Sequence, residues 1–173
     1  MNEVIRNLVE RRSVRAYKAE QIRVEELDAI LEAGLYAPSG MNRQPVVLVA
    51  VQDKALRDRL SSMNAAVMGA DRDPFYGAPT VVIALADCSM SHTAVEDACL
   101  ALGNMMNAAH SLGIGSCWIH RAREVFASDE GRELLCAWGL EGDYVGVGNC
   151  ILGYPEGALP EARARREGRV IRA

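Results

Sequence analysis

Thr93-Ala94-Val95-Glu96-Asp97-Ala98-Cys99-Leu100-Ala101-Leu102-Gly103-Asn104-Met105-Met106-Asn107-Ala108-Ala109-His110-Ser111-Leu112 is the stretch whose reading decides the fold. Thr93 and Glu96 have the S/T-x-x-E spacing of a capping box, which marks a helix start. Gly113 marks its stop. Ala98, Cys99, Ala101, Leu102, Met105, Met106, Ala109 and Leu112 cover more than half of the circumference. A helix apolar nearly all round is central or pressed against a partner. Met and small residues at this spacing suit a core or a dimer interface better than a cofactor box. Met105 and Met106 are therefore the candidates for a face toward a second copy.

Strands and shorter helices are expected on both sides of this helix. Val46–Val51 is a continuous, β-branched-rich run, hence a buried strand, and residues 80–86 read the same way. Residues 116–119 form a short strand. Residues 144–152 form another, with Gly146 and Gly148 inside it marking close backbone approach. Val4, Ile5, Leu8 and Val9 predict a helix over residues 3–11. Val24, Leu27, Ile30, Leu31 and Leu35 predict a second, weakened by Gly34 and stopped by Pro38. Asp53 caps a short helix carrying Leu56, Leu60 and Met63. Ser128 or Asp129 caps one over residues 130–138. The expectation is a single α+β domain over residues 1–173 with about four or five strands and five or six helices.

Composition narrows the function classes. The 173 residues carry 19 basic and 23 acidic side chains, a net charge of −4, with 50% hydrophobic and 24% charged residues. That is ordinary globular composition and excludes disorder. The longest apolar runs are strand-sized, whereas a membrane span needs about 20 apolar residues. The start, Met1-Asn2-Glu3-Val4, has no basic segment leading into an apolar run, so no secretory signal and a cytoplasmic location are expected. The five cysteines are scattered and read as reduced thiols. The three histidines lack zinc-ligand spacing, so no structural metal is expected.

Seventeen of the cations are Arg, and they gather at the two ends. Arg11-Arg12-Ser13-Val14-Arg15 lies near the start, and residues 161–173 hold five Arg against two Glu. A net-acidic chain with basic ends does not fit a general nucleic-acid binder. Local Arg clusters suit one small phosphate, because guanidinium forks match phosphate oxygens. A solvated Arg-rich surface is the other reading of the same composition.

Several signatures are absent. Gly113-Ile-Gly115 and Gly146-Val-Gly148 lack the third Gly of a dinucleotide fingerprint. Gly148 and Gly153 are followed by Tyr-Pro, not by the Lys-Ser/Thr of a P-loop. Ser39 is not in a G-x-S-x-G elbow. Cys117 has no local base and reads as strand packing.

Four segments recur together in one order. They are Glu10-Arg11-Arg12-Ser13-Val14-Arg15-Ala16-Tyr17, then Ala37-Pro38-Ser39-Gly40-Met41-Asn42-Arg43-Gln44-Pro45, then Leu112-Gly113-Ile114-Gly115-Ser116-Cys117-Trp118-Ile119, then Gly153-Tyr154-Pro155 with its arginine tail. From about residue 3 to 172 the chain resembles the nitroreductase family of flavin-mononucleotide (FMN) oxidoreductases. The resemblance implies an α+β fold with a mixed, mostly antiparallel central sheet of four or five strands flanked by helices. It also implies an intertwined homodimer whose FMN sites are shared between subunits.

The resemblance gives each segment a role. Arg11, Arg12, Ser13 and Arg15 would contact the phosphate, the ribityl chain and the pyrimidine O2 edge, for which Arg and Ser supply the donors. Arg163 and Arg165, with Arg166 as the neighbouring register, would form a second phosphate clamp; solvation is the other reading of any single tail Arg. Pro38, Ser39, Gly40, Asn42 and Gln44 would reach the flavin of the opposite subunit, although Asn and Ser here also suit turn hydrogen bonds. The aromatic residue usual after Gln-Pro is Val46 here. Trp118, Ile119, His120 and Arg121 would run along the central ring, with backbone N–H groups facing N5. Trp118 equally reads as core filling, and the side chains of His120 and Arg121 fall where family members vary.

The implied activity is electron transfer from NAD(P)H to a nitroaromatic, quinone or similar electrophilic small molecule, by alternating (ping-pong) binding at one open face. No catalytic acid, base or nucleophile is expected. The chain lacks a long helical excursion between Leu60 and Pro79, which implies an open pocket. Two alternatives accompany this reading: an FMN-binding module without turnover, and other flavin chemistry on the same fold, namely reductive dehalogenation or flavin destruction.

Overall fold

A computed structural model describes residues 1–173. Six α-helices surround one sheet: α1 Glu3–Glu10, α2 Val24–Leu35, α3 Lys54–Met68, α4 Ala94–Ser111, α5 Ala122–Ala127 and α6 Asp129–Ala137. The strands are β1 Val46–Val51, β2 Thr80–Asp87, β3 Gly115–Ile119 and β4 Tyr144–Gly153, in the order β1-β2-β4-β3. Every pairing among them is antiparallel, in keeping with the mostly antiparallel sheet of four or five strands that the resemblance implies. No helix is long and apolar enough to cross a membrane.

The sequence of β2 explains the layering. Its residues alternate between faces, and both faces are covered, so the strand is apolar throughout rather than at every second position. Val81, Ile83 and Leu85 join Leu60 of α3, Val125 and Phe126 of α5, and Leu134 and Leu135 of α6. Val82, Ala84 and Ala86 join Leu27 and Ile30 of α2 and a row along α4 from Ala94 to Ala109. The sheet is thus the middle of three layers.

Small residues set the spacings. Gly34 lets α2 approach α4, since a Cβ there would lie 2.7 Å from Met105 Cγ. The glycine that weakens α2 as an isolated helix is what allows it to pack. Met105 is consequently fully buried within the chain and cannot face a second copy; Met106 is half-buried. Gly148 receives the Trp118 indole, and a Cβ on Gly146 would lie 2.3 Å from the Ala122 carbonyl oxygen. Both glycines thus mark close approach, as their place inside a strand predicts.

Three further differences have local causes. The Thr93–Glu96 capping box does not form: Thr93 Oγ1 instead donates to Asp97 Oδ2 at 3.2 Å, and no side chain caps α4. The helix capped by Asp53 runs through Met68, ending on Gly69 at φ +65°. Helix α5 was not expected. It is six residues long and begins after Arg121, which has no side-chain capping bond.

Gly146→Ala should lower stability by about 1–3 kcal/mol, the usual cost of overpacking. Urea unfolding should show a lower midpoint with an unchanged slope. An unaltered midpoint would mean that β4 and α5 can separate freely.

Candidate functional site

The edge of β3 organises the site. Residues 13–17 run along it: Ser13 bridges Ser116, and the Val14 N–H donates to the Ser116 carbonyl at 3.0 Å. Extended backbone alternates its side chains, so Val14 is buried against Gly115 while Ser13 and Arg15 project outward. Tyr17 is buried and its hydroxyl donates to the Val14 carbonyl at 2.7 Å. Burial pushes its phenol pKa far above the ordinary value.

The same segment captures the chain again after β4. The Lys18 N–H donates to the Tyr154 carbonyl and the Glu156 N–H to the Ala16 carbonyl, each at 3.0 Å. Tyr154 is fixed from the side by its hydroxyl donating to Glu26 Oε2 at 2.6 Å. Hydrogen bonds from Arg23 and Tyr154 hold the Glu26 carboxyl down at about 2. The tail therefore leaves the sheet beside the Arg11–Arg15 segment.

The result is a cleft of about 910 Å³ between residues 8–15 and 160–166. Arg11, Arg12, Ser13 and Arg15 line one wall, and Arg163, Arg165 and Arg166 line the other. The two arginine groups, about 150 positions apart in sequence, meet here. None of these six arginines forms a salt bridge. Arg11 Nη1 is buried without a hydrogen-bond partner, and so is Arg12 Nε. Arg12 also has local work: its Nη1 donates to the carbonyls of Val9 and Arg11 at 2.8 Å, closing the end of α1. An unpartnered buried guanidinium donor costs about 1–3 kcal/mol, which an oxyanion in the cleft would relieve.

Residues 38–44 form a strained, braced loop. Met41, Asn42 and Gln44 all have φ between +51° and +54°, and conformations of this kind cost of order 1–3 kcal/mol each. The loop is held from beneath by Asp97 on α4, which is buried and accepts the Gly40 N–H at 3.1 and 3.2 Å. A Cβ on Gly40 would lie 2.2 Å from Thr93 Oγ1, so any larger residue must displace that hydroxyl. Ser39 Oγ accepts the Gln44 N–H at 3.0 Å, and Gln44 Nε2 donates to Asn42 Oδ1 at 3.2 Å. Asn42 and Gln44 thus face each other in an exposed turn, away from the arginine cleft, whose lining includes no residue of this loop.

Beyond β3 the chain passes through Trp118, Ile119, His120 and Arg121. Buried Asn149 donates to the Ile119 carbonyl at 3.3 Å and buried Asn64 to the His120 carbonyl at 2.8 Å. The His120 and Arg121 backbone N–H groups donate to nothing within the chain. These four residues border a second cup of about 230 Å³, which shares Arg15 with the cleft. Tyr76 and Arg72 complete it, with Arg15 stacked on Tyr76 at 5.9 Å. Sequence reasoning missed both, along with Asp97 and Asn64. A Pro/Gly-rich loop has no periodicity that says where its side chains point, and a buried carboxylate on a helix reads as surface.

Together the sheet and the cleft define a class: α+β proteins with a central antiparallel sheet and an arginine-lined cleft at its edge. The Nitroreductase family model matches residues 8–70 and 66–154, and the chain belongs to that family. It is similar to a nitroreductase with bound FMN from Bacteroides fragilis NCTC 9343, at a TM-score of 0.90 and 34% identity with both chains covered completely. A nitroreductase with bound FMN from Desulfitobacterium hafniense DCB-2 gives a TM-score of 0.89 and 27% identity, covering 100% of this chain and 99% of that one. The FMN reductase [NAD(P)H] of Bacillus subtilis is 33% identical over 144 residues, a match that spans 71% of this chain and 56% of the Bacillus protein.

Asp97→Ala should release the loop. The expected loss is about 1.5–3 kcal/mol for hydrogen bonds to a charged acceptor, with faster proteolytic cleavage at residues 38–44. Unchanged cleavage would mean that the loop is held by its own turn bonds alone.

Proposed function

We propose that this chain is an FMN-dependent oxidoreductase that carries electrons from NAD(P)H to nitroaromatic, quinone or similar electrophilic acceptors. The carrying observation is the arginine cleft with its orphaned Arg11 Nη1. Family membership and the FMN-bound relatives support the same ligand.

The donor set fits FMN. Arg11, Arg12 and Ser13 from one wall and Arg163 and Arg165 from the other would hold the phosphate; Arg166, the neighbouring register, lines the same wall. Arg15, between cleft and cup, would reach the ribityl chain and the O2 edge. The unpaired N–H groups of His120 and Arg121 would stabilise negative charge at the ring, as an oxyanion hole does. FMN held by these residues would supply the redox chemistry, electron transfer between the nicotinamide and the acceptor. The protein's side chains bind and orient, and none is assigned as an acid, base or nucleophile. One cup serving donor and acceptor in turn requires alternating binding. All 173 residues would act as one FMN-binding domain, working in the cytoplasm.

The protein would function as a homodimer. Helix α1 has no buried residue, and it leaves Val4, Ile5, Leu8 and Val9 exposed beside α4, to which Asn7 Nδ2 is bonded through the Asn107 carbonyl at 2.9 Å. On α4, Leu100 is exposed and Gly103 faces open space. An apolar surface of this kind suits an obligate interface of about 2,000–5,000 Å². A second copy would also bring its 38–44 loop, with Pro38, Ser39, Gly40, Asn42 and Gln44, to the flavin held by the first.

Arg11→Ala should weaken FMN binding roughly tenfold or more, the equivalent of one charge-assisted hydrogen bond. Titration by flavin fluorescence quenching measures it; undiminished affinity would remove Arg11 from the phosphate site. NAD(P)H-dependent reduction of a quinone by the flavin-loaded wild type separates an enzyme from a binding module. Leu100→Glu should dissociate the dimer and release flavin together, because an interface cannot bury an unpaired carboxylate cheaply. Sedimentation with flavin absorbance follows both. A wild-type monomer carrying stoichiometric flavin would overturn the shared site.

A further inference from the structure

Two buried amides stand behind the exit from β3, and both spend their donors on main-chain carbonyls. Asn64 on α3 is 1% exposed, and its Nδ2 donates to the His120 carbonyl at 2.8 Å. Asn149 on β4 is 3% exposed, and its Nδ2 donates to the Ile119 carbonyl at 3.3 Å. Neither residue is there for packing. Asn is depleted in strands, yet Asn149 interrupts β4 between Gly148 and Cys150. Asn64 keeps its Oδ1 buried without a partner, so that atom loses its hydration and gains no bond in return. A leucine would fill either place without that loss, but it could not hold a carbonyl.

Peptide planarity turns each hold into an aim. The C=O and N–H of a trans peptide point in opposite directions, and every peptide in the chain is trans. Drawing the Ile119 carbonyl toward Asn149 turns the His120 N–H away from β4. Drawing the His120 carbonyl toward Asn64 turns the Arg121 N–H away from α3. Both residues border the cup, and neither N–H has an acceptor within the chain. Arg121 is anchored on its far side as well, where its carbonyl accepts the Val125 N–H at 3.0 Å. Held from both ends, it stays in left-handed backbone at φ +77°, a conformation that an unrestrained arginine would leave.

We propose that Asn64 and Asn149 are positioning residues: they aim the His120 and Arg121 N–H groups at the flavin ring and so set how much more tightly the site holds reduced than oxidised FMN. This rests on the flavin reading of the site. Uptake of two electrons and one proton leaves one negative charge on the ring, and donors already fixed there favour that form. Neither asparagine lines the arginine cleft, and the phosphate contacts made there are common to both forms. Affinity for oxidised FMN and preference for reduced FMN are therefore separable quantities.

The wild type, Asn64→Leu, Asn149→Leu and a control, Asn104→Leu, are compared as full-length proteins. Asn104 also donates to a carbonyl, that of Ala33 at 3.1 Å, but between α4 and α2 and outside the cup. Fluorescence quenching gives the Kd for oxidised FMN. Dithionite titration against a reference dye gives the midpoint potential of the bound flavin. Asn64→Leu and Asn149→Leu should each reduce the preference for reduced FMN about tenfold, or about 30 mV for a two-electron couple. Their affinity for oxidised FMN should stay close to that of the wild type. Asn104→Leu should leave the potential in place even where it lowers the thermal midpoint as much.

Amide hydrogen exchange tests the aim on the wild type itself. The His120 and Arg121 N–H groups should exchange freely without FMN and become protected when FMN is added. A potential that neither leucine variant moves beyond the Asn104→Leu control overturns the inference and leaves the flavin reading intact. Exchange at His120 and Arg121 that bound FMN does not slow has the same consequence. A wild type that takes up no FMN overturns the flavin reading and this inference together.

Discussion

Everything at the candidate site depends on a short length of backbone pairing at the edge of the sheet. The Val14 N–H on the Ser116 carbonyl ties the first arginine cluster to β3. The Lys18–Tyr154 and Ala16–Glu156 bonds then tie the start of the tail to the same segment. An edge strand presents unpaired N–H and C=O groups. Here they are used to bring together two basic segments from opposite ends of the chain. Without that pairing, mutual repulsion would separate them in a protein whose remaining surface is net acidic.

The layers beneath are built so that this edge stays fixed. Strand β2 is buried on both faces, and its neighbour β4 carries Gly146 and Gly148 where α5 and the Trp118 indole press closest. That contact fixes the angle at which the chain leaves β3 toward His120 and Arg121. Asn64 and Asn149 then hold the two carbonyls on that exit. Both amides are buried, so they act in a low-dielectric setting where each hydrogen bond is strong and a missing one costly. Backbone N–H groups left unpaired on such a rigid exit are pre-oriented donors.

The elements legible in the sequence were those whose pattern matches their final environment. The apolar run of β2 shows no polar interruption because packing covers both its faces, and α4 shows the apolar circumference of a central helix. Val46–Val51 is as apolar, yet it lies at the sheet edge, mostly half-buried with Ala50 exposed, and is not the buried strand its run suggests. The resemblance of four ordered segments extended that reading to the nitroreductase family. Misreadings arose where tertiary contacts outbid local signals. Thr93 has capping-box spacing, yet the Asp97 carboxylate, drawn to the Gly40 N–H, takes its hydroxyl. Met105 reads as interface on a helical wheel, but Gly34 on a helix 71 positions earlier supplies the space that buries it. Helix α5 follows a left-handed Arg, a start no propensity rule anticipates. Arg72 and Tyr76 enter the cup only because the network around Asp73 folds their loop back.

The strain in the backbone falls in two places, and the orphaned charge in a third. Left-handed backbone is found at Met41, Asn42 and Gln44 of the exposed loop, and at Tyr76 and Arg121 in the cup. Such conformations persist only where the surroundings over-determine them. Asp97 does so for the loop, while Asn64 holds the carbonyl that precedes Arg121. The orphaned donors lie elsewhere, on Arg11 and Arg12 in the arginine cleft. A buried donor without an acceptor and a group of like charges both raise the free energy of the unliganded fold. An anion that binds the folded chain and not the unfolded one removes both penalties at once, and the gain appears as stability through mass action. Anion affinity and the stability gained on binding are two measures of the same electrostatic imbalance.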